Sequence, residues 1–102
     1  MRDGRNSDAA RLKARAQAET LALQALGWLC AEPDRAERFL AMTGLAPGEL
    51  RASARDAAFL AGVLDHLLAD ETLLLAFCAD TEAEPPGVGA ARRHLPGASP
   101  DA

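Results

Sequence analysis

Between Leu21 and Cys30 the only polar side chain is Gln24. No other feature limits the fold so tightly, because a helix that is apolar on every side has to be enclosed by other elements. The material available to enclose it is helical. Alanine and leucine dominate the hydrophobic residues, isoleucine and tyrosine are absent, and valine occurs only at Val63 and Val88. Sheets draw on β-branched and aromatic side chains, so an all-β or parallel α/β domain is excluded. A chain of 102 residues supplies one core and not two. The expected fold is all-α: a compact orthogonal bundle of five or six short helices around a central apolar helix, with residues 21–30 and 73–79 at its centre.

Punctuation along the chain places the other helices. Residues 1–7 read as a disordered lead, and Ser7 or Asp8 caps a helix running to about Cys30. Its first half is an alanine scaffold with Leu12 as its one large apolar residue, a handle that projects from the fold. Glu32 before Pro33 is an acidic cap followed by proline at the first helical position, where the missing N–H costs nothing. Ala36, Phe39, Leu40 and Thr43 then share one face, Arg35, Glu37 and Arg38 face out, and Gly44 ends the helix. Ala46-Pro47 restarts a short helix to about Ala54, and Asp56 caps the next.

Phe59, Leu60, Val63, Leu64, Leu67 and Leu68 give that next helix a broad apolar face. Continued past Ala69, it would carry Glu71 into the middle of this face, where an unpaired carboxylate costs several kcal/mol. A break at Ala69-Asp70 is therefore expected. Beyond Asp80, Pro85, Pro86, Gly87 and Gly89 interrupt the helix that Val88, Ala90, Ala91 and Leu95 suggest. Residues 8–95 make a single helical domain with its folded core at about 20–80, and 96–102 form a disordered tail. An internal echo runs at an offset of 38, pairing Leu26 with Leu64, Leu29 with Leu67, Phe39 with Phe77, Thr43 with Thr81 and Pro47 with Pro85. The leucine and alanine matches are cheap in this composition. The echo reads either as two pseudo-symmetric helical units or as chance.

The net charge of −4 is unevenly spread. Residues 1–15 carry Arg2, Arg5, Arg11, Lys13 and Arg15 against two acids, while residues 16–91 carry four arginines against twelve acids. An acidic body repels a phosphate backbone, so nucleic acid is a disfavoured partner for it; the basic amino end is either an arm or a solvated extension. No apolar run is long enough to span a membrane, and no secretory leader opens the chain. Cys30 and Cys78, without CxxC spacing, suit a reduced cytoplasmic protein.

No reactive constellation emerges, and no cofactor or metal is expected. His66 lies at the edge of an apolar face beside Asp65 without facing it, and a general base needs a pocket and a third group. His94 has no evident partner. Asp65, Asp70, Glu71, Asp80, Glu82 and Glu84 match no calcium loop, and His66 with Asp70 makes only two ligands. Cys30 and Cys78 sit on apolar faces as small hydrophobes. Gly87-Val88-Gly89 is too short for a phosphate loop. What remains is surface: Trp28, opposite Leu23 and Leu26 on its helix, and Met42, off the main face of its own. An indole and a thioether near a rim are either partner contacts or residues that complete the core.

Ala25-Leu26-Gly27-Trp28-Leu29, Arg38-Phe39-Leu40, Thr43-Gly44-Leu45, Pro47 and Leu50-Arg51 form one set of linked motifs. Phe59-Leu60-Ala61, Val63-Leu64-Asp65, Leu67-Leu68, Asp70-Glu71 and Leu74-Leu75-Ala76-Phe77 continue it. Over about residues 20–80 the chain resembles the α-proteobacterial domain-of-unknown-function family 3572. The resemblance implies a small cytoplasmic all-helical protein and transfers no activity, cofactor or catalytic residue. The stretch Pro85–Gly89 departs from the more helical pattern of that family. The expected role is a non-catalytic protein–protein interaction module, monomeric or weakly dimeric. The rival expectation is a DNA-associated regulator using a helix-turn-helix-like corner and the basic amino arm.

Overall fold

A computed structural model describes residues 2–97. Those residues form six α-helices and no strand: α1 (Arg2–Cys30), α2 (Pro33–Thr43), α3 (Leu50–Ser53), α4 (Ala57–Leu68), α5 (Glu71–Thr81) and α6 (Pro85–Arg93). A 3-10 turn, Pro47–Glu49, leads into α3. At about 1.5 Å per residue, the 29 residues of α1 account for most of the molecule's 50 Å long axis.

Local chemistry sets the helix ends. Both Glu32 carboxylate oxygens accept backbone N–H groups, from Asp34 and Arg35 at 3.1 Å each, and Pro33 is the first residue of α2. Asp56 accepts from the N–H of Ala58 at 3.0 Å to open α4. The break expected at Ala69-Asp70 is present: Asp70 has extended backbone and its Oδ1 accepts from the Leu73 N–H at 3.1 Å. Glu71 thereby stays exposed.

Several expectations are corrected. α1 begins at Arg2, so the cap at Ser7 or Asp8 and the lead over residues 2–7 give way to helix; no proline interrupts this stretch. Residues 21–30 are not enclosed all round. Ala22, Ala25, Leu26 and Leu29 are buried, but Leu23 is 46% exposed, and Gly27 and Cys30 face solvent. Among the described residues, the other helices cover only one broad side of α1. The second central helix is α4, with Leu60, Ala61, Val63, Leu64 and Leu67 buried, whereas α5 buries only Leu74 and Phe77 and leaves Leu75 half-exposed.

The stretch Pro85–Gly89 does form a helix. Pro85 and Pro86 occupy its first two positions, where N–H groups have no intrahelical acceptor in any case. Gly87 and Gly89 each cost about 1 kcal/mol relative to alanine, offset by the complete burial of Val88. Leu95 is also in the core, and Arg92 holds the following turn: its guanidinium pairs with Asp65 at 2.6 Å and donates to the carbonyls of Leu95 and Pro96. The expected tail beyond residue 97 lies outside the described residues.

The offset of 38 recurs in the helix boundaries, caps and buried positions. α1 ends at Cys30 and α4 at Leu68; α2 spans 33–43 and α5 spans 71–81; Pro47 and Pro85 each open the next element. The acids Glu32 and Asp70 cap the paired helices α2 and α5. Gly44 and Glu82, 38 apart, both turn the chain left-handed, at φ 75° and 66°. Phe39 and Phe77 are both fully buried, as are Leu29 and Leu67. The packing is crossed. Trp28 of α1 sits edge-on to Phe77, with centroids 5.5 Å apart, and His66 of α4 sits edge-on to Phe39 at 5.2 Å.

Candidate functional site

Trp28 is closed in by its own chain. Its indole Nε1 donates to Asp80 Oδ2 at 2.8 Å, the Arg35 guanidinium lies 3.8 Å from its ring centre, and its carbonyl accepts from Arg35 Nη2 at 3.1 Å. Stacking and a charge-assisted hydrogen bond make it a strut between α1, α2 and α5. Asp80 lies 52 residues away in sequence, so no local pattern could have paired the two.

The repeat-related position is finished differently. Opposite His66, position 42 carries Met42 where the other half has Asp80, and Leu73 stands where the other half has Arg35. His66 is half-buried and makes no hydrogen bond among the described residues. Burial lowers its pKa below the ordinary histidine value, and the Asp70 carboxylate opposes part of that shift. Two openings share its imidazole as a wall. One is an apolar groove between α2 and α4, lined by Phe39, Met42, Gly62 and Ala69; Met42 is 76% exposed at its lip. The other, a cavity of about 250 Å³, lies between the start of α2, the end of α4 and the start of α5, and it gathers Arg35, Arg38 and Asp70 around His66. Arg35 and Arg38 were expected to face bulk solvent. Arg38 does, whereas Arg35 is half-buried, its guanidinium stacked on Trp28.

The other candidates remain apart. Among the described residues no three potential metal ligands cluster; of the acids 65–84, Asp70 caps α5, Asp65 pairs with Arg92 and Asp80 accepts from Trp28. The cavity beside His66 contains no serine, threonine or cysteine to act as a nucleophile. Cys78 is half-buried, whereas Cys30 is exposed rather than packed on an apolar face. Desolvation raises both thiols, with Glu84 adding to the effect on Cys78, and that disfavours the reactive thiolate. Arg11, Leu12 and Arg15 of α1 meet Arg93 and His94, which joins the basic amino end to the basic carboxyl end. Two of these arginines already have acidic partners on their own helix, Arg11 with Asp8 and Arg15 with Glu19. No helix is long and apolar enough to cross a membrane among the described residues.

Comparison with known proteins yields one match. A family model described as "Protein of unknown function (DUF3572)" covers residues 15–98. It extends beyond 20–80 on both sides and includes Pro85–Gly89. No curated protein and no solved structure matches the chain.

Proposed function

The chain belongs to the DUF3572 family, and from that premise we propose that it is a non-catalytic protein–protein interaction module acting through the α2–α4 groove. One observation carries the reading. Of two sites built to the same plan, the one at Trp28 is filled by the chain's own Arg35 and Asp80, and the one at His66 is left open beside an exposed methionine. A flexible thioether at the lip of an apolar groove adapts to a partner's side chain and loses unfavourable hydration on contact. Catalysis is a weaker reading: His66 makes no hydrogen bond among the described residues, and no serine, threonine or cysteine lines the cavity beside it. The test is affinity capture with the full chain. A stoichiometric protein partner retained by the native sequence and lost in Met42→Glu supports the reading; equal retention by both contradicts it.

A second reading has one observation in its favour, the meeting of Arg11 and Arg15 with Arg93 and His94. As a phosphate-contacting patch it supports DNA association. Retention on duplex DNA at low salt that falls steeply as salt rises is its expected signature, and indifference at low salt ends it.

A further inference from the structure

We propose that the uncovered face of α1 is a self-association surface, on which a second copy of this chain packs its own α1 antiparallel. The inference is independent of the α2–α4 groove.

The face is the side of α1 that the other helices leave open. Leu12 is 70% exposed and Leu23 46%, and Ala16, Thr20, Gly27 and Cys30 beside them are exposed as well. Their spacing is regular. Leu12 stands four residues before Ala16, and Leu23, eleven further on, stands four before Gly27. Eleven residues make three turns of a nearly straight helix, so both pairs lie on one side. Glycine inside a helix is destabilising, and nothing in this fold demands one at position 27. A Cβ added there meets no atom within 4 Å.

A second α1 gives that glycine a purpose. Laid antiparallel with the two-fold axis between Glu19 and Thr20, Leu12 falls level with the partner's Gly27, and Leu23 with the partner's Ala16. Each large side chain then meets a small one, and each pairing occurs twice, as an isologous interface requires. A parallel pair in register would set leucine on leucine and glycine on glycine.

Charge selects the same order. Residues 1–15 carry five bases against two acids, Arg11, Lys13 and Arg15 among them. The other end of α1 is acidic: Glu32 and Asp34 follow it, and Asp80 is bonded to Trp28. Antiparallel packing brings each basic end toward the partner's acidic end, whereas parallel packing opposes like charges. Glu19, beside the axis, already pairs with Arg15 at 3.4 Å, so two bare carboxylates do not meet there. Residues 9–30 span roughly 30 Å. One helix seam of that length buries less than the roughly 800 Å² per partner of a stable complex, so the dimer is weak and forms at micromolar concentration or above.

Sedimentation equilibrium of the full chain, up to millimolar concentration, is the test, and a monomer–dimer equilibrium is expected. Gly27→Leu, which has room in the monomer and improves helix propensity, weakens dimerisation at least tenfold without lowering the unfolding midpoint. Adding Leu12→Ala restores the dimer, because the facing position then makes room. Met42→Glu leaves it unchanged. Mild oxidation reads the order of the helices. Ala9 lies level with the partner's Cys30, so Ala9→Cys forms an intermolecular disulfide with that thiol, located by mass spectrometry; the two native Cys30 residues stand roughly 30 Å apart and do not link. A monomer at every concentration, a dimer indifferent to Gly27→Leu, or one that Leu12→Ala fails to rescue overturns the proposal. A ready link between two native Cys30 thiols overturns the antiparallel order, and a dimer lost in Met42→Glu moves self-association to the groove and overturns the α1 assignment.

Discussion

Trp28 and His66 stand 38 residues apart at matching positions, each edge-on to the other unit's phenylalanine, yet their surroundings differ. Around Trp28 the chain provides a stacked cation and a hydrogen-bonded carboxylate, and the ring becomes part of the scaffold. Around His66 a methionine and a leucine replace those two groups, and the ring borders a groove and a cavity. The contrast separates what the plan requires for folding from what it leaves for contact. The buried phenylalanines, leucines and caps recur in both halves because both must close a core. The polar finish occurs in one half, so its absence in the other does not cost the fold its closure.

The largest effects test whether the halves share one structural plan. Phe39→Ala and Phe77→Ala, both at fully buried sites, are each expected to cost about 3–5 kcal/mol in chemical denaturation. A cost near zero for either breaks the equivalence. Next come the two rings. Trp28→Phe keeps the apolar body but removes the 2.8 Å bond to Asp80, and about 1–2 kcal/mol should go with it. At roughly 4–8 °C per kcal/mol for a domain of this size, thermal unfolding resolves that loss. His66→Phe gives up no hydrogen bond within the described chain and should move the midpoint much less.

Smaller effects sharpen the comparison at the helix ends. Glu32→Ala and Asp70→Ala remove paired caps and should each cost about 1 kcal/mol. The left-handed residues give opposite signs. Gly44→Ala is expected to destabilise, whereas Glu82→Gly relieves a non-glycine residue at φ 66° and should stabilise by up to about 1 kcal/mol. The smallest effect is the pH dependence of the open half. Because the folded-state pKa of His66 lies below its unfolded value of about 6.5, the unfolded chain takes up its proton first as pH falls. The contribution from His66 is therefore intact above that value and lost as pH falls from it toward the lowered folded value. The difference in stability between pH 7.5 and 5.5 should shrink in His66→Gln.

Much of this architecture can be read from the chain because it is locally determined. Glu32-Pro33, Gly44, Asp56 and Asp70 mark helix ends within three residues of the groups they bond, and the cost of burying Glu71 separates α4 from α5. The rest depends on contacts distant along the chain or on competition between opposing preferences. Pro85 and Pro86 looked disruptive in composition, but they fall on helix positions that need no N–H. The apolar run 21–30 reads as central on every side, yet burial depends on how many neighbours pack against it, and Leu23 is half-exposed. The candidate site was only partly visible. Met42 is legible as an odd apolar residue, while the engagement of Trp28 by Asp80 and by the half-buried Arg35 depends on helix packing that no local spacing encodes.

The most direct test measures Trp28→Phe and Met42→Glu side by side, for unfolding midpoint and for capture of a protein partner. A closed half that supports the fold and an open half that makes contact predict a clean crossing: Trp28→Phe lowers the midpoint and keeps the partner, Met42→Glu keeps the midpoint and loses it. Partner loss in Trp28→Phe with full retention in Met42→Glu would contradict that division.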